Sequence, residues 1–87
     1  MGALFHLRIL SSEKNIFEGD IASLIAPGEL GYLGILANHA PLVTSLVPGK
    51  ITLKDADGKV TVLNNRNEGF LEVNGNKATI LICREVS

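Results

Sequence analysis

The chain has 87 residues, 46% hydrophobic and 20% charged, with a formal net charge of −1. This is the composition of one folded domain, small enough to bury only roughly 60–65% of the surface its unfolded chain exposes. The lysines and arginines are scattered singly, Trp is absent and the aromatics are three Phe and one Tyr, so neither a basic stripe nor a base-stacking surface for nucleic acid is present.

The first ten residues, "MGALFHLRIL", have no charged start and are interrupted by Arg8, which is not the pattern of a signal peptide. Within them Phe5, Leu7 and Ile9 alternate with His6 and Arg8, as in a strand with one buried face. His6 falls on the outer side, solvated or at a rim. The stretch "GYLGILANHAPLVTSLVPGK", residues 31–50, is apolar yet broken by Gly31, Gly34, Pro41, Pro48 and Gly49, so it is neither a long helix nor a membrane span. "KITLKD" sets Ile51 and Leu53 against Lys50, Thr52 and Lys54. "KVTVLN" sets Val60 and Val62 against Lys59 and Thr61. "KATILIC" sets Ala78, Ile80 and Ile82 against Lys77, Thr79 and Leu81. Asp57-Gly58 and Asn74-Gly75 sit between such runs and mark two hairpins, because tight hairpin turns need positive φ, which Gly and Asn tolerate. No segment carries a helical apolar stripe. The reading is an all-β fold, an antiparallel sandwich or flattened barrel of about eight to ten short strands, in a single domain over residues 1–87.

Three runs, "LGIL", "LVTSLV" and "ILIC", are apolar on both faces, whereas a sandwich strand needs only one apolar face. Two readings stand. These are central strands covered on both sides, or they form a patch that grips a partner. Cys83, the single cysteine, allows no internal disulfide and reads as a small buried apolar residue. A zinc site needs three or four ligands; two His and one Cys, widely separated, do not supply them, so no metal is expected. The glycines of "GELGYLG" match neither a dinucleotide fingerprint nor a P-loop, and no cofactor is implied. No Ser or Cys stands in a nucleophile motif, so no catalytic residue is assigned. Two weaker alternatives remain: a small ligand module using the Gly-rich loop 28–34, and a hydrolase in which Glu29 and Glu72 meet in space. For His39 three readings stand: a brace on the turn before Pro41, a place in a protein interface, or a catalytic residue.

The ordered features then match a family. Ser11, Glu13, Phe17 and Gly19 form Ser-x-Glu-x-x-x-Phe-x-Gly. A Pro-Gly turn precedes Leu-Gly-Ile-Leu, then His-Ala-Pro-Leu at residues 39–42, Pro48-Gly49, and Gly-Phe-Leu-Glu-Val at residues 69–73. Together these resemble the N-terminal β-sandwich of the epsilon subunit of the rotary F-type ATP synthase, called delta in mitochondria. The resemblance implies a non-catalytic rotor part on the central stalk, peripheral at the cytoplasmic face of the bacterial inner membrane and held to the membrane only through the complex. It implies two partners. The gamma subunit would meet Ser11, His39, Ala40, Leu42, Val43 and Thr44. The c ring would meet the loop of Gly28, Glu29, Leu30, Gly31 and Tyr32. Where the family has Pro-Gly before the His, this chain has Ala37-Asn38, and Asn38 is expected to hold the left-handed backbone instead. Many members continue into a C-terminal helical hairpin that inhibits ATP hydrolysis; none is expected within these residues.

Overall fold

The computed structural model describes residues 3–83, so the two ends of the 1–87 span lie outside the described residues. Nine strands and no helix are found among them: β1 (Phe5–Ser11), β2 (Asn15–Ile21), β3 (Ser23–Gly28), β4 (Gly31–Leu36), β5 (Leu42–Leu46), β6 (Gly49–Lys54), β7 (Val60–Asn65), β8 (Gly69–Asn74) and β9 (Lys77–Ile82). They form one curled sheet in the order β2-β1-β9-β8-β5-β3-β6-β7, with β4 on the other side of β3. The curl makes two layers, β2-β1-β9-β8-β5 and β4-β3-β6-β7, whose backbones join through the single pair Gly28↔Leu46.

Alternation decides what lies between the layers. Leu7, Ile9, Ile21, Leu71 and Ile80 point in from the first layer, and Leu24, Ile35 and Ile51 from the second, all essentially without solvent exposure. Each such side chain contributes about 1.5–3 kcal/mol on burial. No polar or charged residue is buried among the described residues, so the core specifies its packing by shape alone. Gly69 is required by close approach: a Cβ there would overlap the carbonyl oxygen of Leu81 on β9.

Every pairing is antiparallel except β1 with β9, which run parallel from His6↔Lys77 to Ser11↔Ile82. The whole intervening chain serves as their crossover. Both expected hairpins are present. In the β6–β7 turn Asp55 Oδ1 accepts the N–H groups of Asp57 and Lys59, each at 2.9 Å, and Gly58 has φ 86°. The β8–β9 turn falls one residue later than expected. Asn74 pairs with Lys77, so Gly75-Asn76 is the two-residue loop, with φ 58° and 60°. Asn76 is held there by its side chain, whose Oδ1 accepts from Asn38 N at 2.7 Å and whose Nδ2 donates to Leu4 O at 2.9 Å.

Two further expectations are corrected. Val60 and Val62 face out, 56% and 49% exposed, while Leu63 packs on the core. The phase of β7 is set by its pairing with β6: Ile51 lies opposite Leu63 and Leu53 opposite Thr61, which leaves Val62 and Val60 beside the outward Thr52 and Lys54. Cys83 is exposed rather than buried. It follows Ile82 and so shares the outward phase of Leu81, held by its N–H to Glu68 O at 2.8 Å.

Candidate functional site

The β3–β4 turn is a two-residue loop of Glu29 and Leu30 closed by Gly28↔Gly31. Gly31 takes φ 126°, open to glycine and strained for other residues. Leu30 is wholly exposed and Tyr32 is 60% exposed. The Tyr32 hydroxyl accepts the backbone N–H of Lys50 at 3.3 Å. Gly28 is buried, so of the five loop residues only Glu29, Leu30, Gly31 and Tyr32 present themselves to a partner. A fully exposed leucine at the tip of a tight turn loses nothing by folding and is available to a second surface.

The second candidate group gathers along β5 and the link before it. Asn38 takes φ 63°, the left-handed backbone expected of it. His39 is half-buried and braces the turn, its Nδ1 lying 2.7 Å from Ala40 O. A carbonyl only accepts, so Nδ1 carries the proton. Ala40 and Pro41 are exposed. Along β5 the side chains alternate: Leu42 packs against the core, Val43 is 72% exposed, and Thr44 is half-buried with its hydroxyl donating to Ser45 O at 3.4 Å. Val43, not Leu42, is the free apolar side chain of the segment.

Ser11 does not join them. The row Leu42–Val73–Ala78–Leu7 crosses the layer at one level, and Leu46–Gly69–Ile82–Ser11 crosses it four residues further along. Ser11 therefore stands on the far diagonal of the layer, roughly 19 Å from Leu42 by strand rise and spacing. Its hydroxyl is occupied locally, accepting from the N–H groups of Glu13 and Lys14, each at 3.3 Å. It caps the β1–β2 turn and lies at the same end of the sheet as the Glu29–Leu30 turn.

Reading by segments missed neighbours that complete these surfaces. Phe70 lies opposite Leu81 on the outer face of β8–β9, and the two are 49% and 46% exposed. The signal was present: in Gly-Phe-Leu-Glu-Val, Glu72 shares the phase of Phe70 and marks that phase as outward. Glu29 and Glu72 are not gathered. Glu29 lines a small depression with Glu68 and Phe70, whereas Glu72 stands on β8 between Val43 and Thr79. Among the described residues no group of three or more His, Cys, Asp or Glu is placed to hold a metal ion.

A cluster of interacting charges lies on the outer face of β1 and β2. His6 Nε2 is 2.9 Å from Glu18 and Nδ1 is 3.0 Å from Asp20, while Arg8 Nε is 3.9 Å from Glu18. The rim histidine thus has a carboxylate on each nitrogen. Hydrogen bonds to Asp20 and then Glu18 raise its pKa above the ordinary 6.5, against an opposing desolvation. Glu18 is pushed below its ordinary value by the hydrogen bonds from His6 and then Asn15.

Residues 4–86 match the family model described as ATP synthase, Delta/Epsilon chain, beta-sandwich domain. The chain belongs to this family. Among curated relatives it is 39% identical over 87 residues to the ATP synthase epsilon chain of Dichelobacter nodosus, covering 100% of this chain and 59% of that one. It is 42% identical over 78 residues to the epsilon chain of Protochlamydia amoebophila, covering 90% and 52%. With that of Xanthomonas euvesicatoria pv. vesicatoria it shares 45% over 74 residues, covering 85% and 52%. The chain therefore spans a little over half the length of these epsilon chains. In fold it is similar to a chain of the Euglena gracilis mitochondrial ATP synthase OSCP/F1/c-ring structure, with TM-score 0.87, 24% identity, and coverage of 99% of this chain and 54% of that one. A chain of the Tetrahymena thermophila mitochondrial ATP synthase central stalk/c-ring structure gives TM-score 0.75 at 12% identity, with coverage of 95% and 66%. The epsilon-type β-sandwich expected from the sequence agrees with the nine strands described above.

Proposed function

We propose that this epsilon-type domain is a non-catalytic coupling element of the central stalk of a proton-translocating ATP synthase, at the cytoplasmic face of a bacterial inner membrane. In this reading it docks on the gamma subunit through Val43 with His39, Ala40, Leu42 and Thr44 around it, and Ser11 would be a separate contact at the far corner of the same layer. It rests on the c ring through Glu29, Leu30, Gly31 and Tyr32. The observation that carries the reading is the family match over residues 4–86, joined to exposed apolar side chains at both segments, Leu30 at the turn and Val43 on β5. Torque transmission requires a stiff body with firm contacts at two places. A continuous hydrogen-bonded sheet closed over one packed core supplies the stiffness, and a few apolar anchors carry most of the energy of a stable interface.

The test is capture from detergent-solubilised bacterial membranes with the chain as bait. Gamma and c subunits should be recovered together. Val43→Asp should remove gamma while the domain stays folded, because a buried unpaired charge is costly at an interface and the side chain is exposed in the free domain. Gamma recovered undiminished with a folded Val43→Asp chain would remove β5 from the interface. Failure of the parent chain to recover either subunit would overturn the functional reading itself.

A further inference from the structure

Beside the β3–β4 turn lies a second feature that docking does not explain. Tyr32, Gly49, Lys50, Asn64, Asn65 and Arg66 line an open depression of about 730 Å³ at the ends of β4, β6 and β7. Lys50 and Asn64 are register partners on neighbouring strands, and Arg66 follows two residues after Asn64. Both cations are exposed. The ion pairs among the described residues involve His6 and Arg8; none involves Lys50 or Arg66. No acidic side chain lines the depression.

Its floor is built rather than accidental. A Cβ at Gly49 would stand 2.9 Å from Pro27 Cβ and 3.0 Å from the Tyr32 hydroxyl, so glycine alone lets the ring lie against β6. That hydroxyl accepts Lys50 N–H and keeps its own hydrogen to donate. The Asn65 amide is spent on Asn67, donating to its carbonyl at 2.6 Å. The Asn64 amide is exposed on the same outer face as Lys50. An ammonium, a guanidinium, a phenol and an amide thus line one depression with no carboxylate among them. The chain as a whole carries −1, so diffuse attraction does not account for an anion held here.

We propose that this depression binds a phosphate group, with Lys50 and Arg66 as the charged donors and Tyr32 and Asn64 as neutral ones. Arg supplies the bidentate fork and Lys the point charge that such an oxyanion takes. The phosphate comes either free in solution or on an anionic lipid headgroup. Tyr32 is shared with the proposed c-ring contact; Lys50, Asn64 and Arg66 are not.

The experiment is a ¹H–¹⁵N spectrum of the chain titrated with inorganic phosphate, alongside co-sedimentation with phosphatidylglycerol and with phosphatidylcholine vesicles. The expected result is saturable movement of the Tyr32, Lys50, Asn64 and Arg66 amides, or retention on the anionic vesicles alone, weakening as salt is raised. Phosphate titration without vesicle retention assigns the free anion; vesicle retention without phosphate titration assigns the headgroup. Lys50→Gln with Arg66→Gln should weaken binding about tenfold or more, the loss of two charge-assisted bonds. Lys54→Gln, on the same face but outside the depression, should leave it unchanged. No response in either arm, or an equal loss with Lys54→Gln, overturns the proposal.

Discussion

The two layers share one interior but differ outside. The outer face of β5-β8-β9-β1-β2 mixes signs: Glu72, Arg8, Glu18, His6, Asp20 and Lys77 surround Val43, Phe70 and Leu81. The outer face of β4-β3-β6-β7 carries Leu36, Ile25, Val60 and Val62 beside Ser23 and Thr52, with Lys50 and Lys54 as its strand charges and no acid. One face holds charges that interact across β1 and β2; the other leaves aliphatic and cationic groups without an acidic partner on its strands. A sheet that curls on itself can thus keep one hydrophobic core and still offer two chemically distinct exteriors.

The largest test strikes what the layers share. Leu71→Ala from the first and Leu24→Ala from the second should each cost about 2–5 kcal/mol by urea unfolding. With one core, both should speed exchange of the same set of protected amides. If each released only its own layer, the two halves would be independent units. Next, Leu42→Asp should lower stability by about 1–3 kcal/mol, because the charge loses water against the core, while Val43→Asp should stay within about 0.5 kcal/mol of the parent. Equal loss from both would erase the inward–outward distinction along β5.

A smaller effect concerns the charged face alone. His6 has its pKa raised in the fold, so its stabilisation is complete below pH 6.5 and disappears as pH rises through the higher folded value. Glu18 is lowered, so its share is present above pH 4.5 and disappears as pH falls through its folded value. His6→Gln should therefore separate from the parent in urea midpoints at pH 6 and converge with it in mildly alkaline solution. A gap unchanged with pH would assign His6 a packing role. The smallest effect belongs to the other face: Val62→Thr should move the midpoint by no more than the equivalent of about 0.5 kcal/mol, and a larger loss would mean the valine is covered in the free chain.

Much of this was legible in the residues because period-two alternation is a local signal. Phe5, Leu7 and Ile9, or Ala78 and Ile80, declare their buried face within one strand. Where neighbouring residues compete, locality fails. Val60 and Val62 are more apolar than Thr61, yet β7 takes its phase from Ile51 and Leu53 on β6. The proposed docking residues were legible only as segments: which of Leu42 and Val43 is free depends on β8, and that Ser11 lies far from both depends on the order of strands. The depression at Lys50 and Arg66 has no contiguous signature, since its donors come from three strands and a loop.

The parallel pairing of β1 with β9 also bears on biogenesis. Leu7 reaches its neighbour Ala78 only after every intervening strand has been synthesised. Until then the first hairpin presents a bare backbone edge, an open template for another nascent chain. Folding gated by so distant a contact is slow for a domain of this size, and crowded ribosomes are where mispaired dimers would first arise.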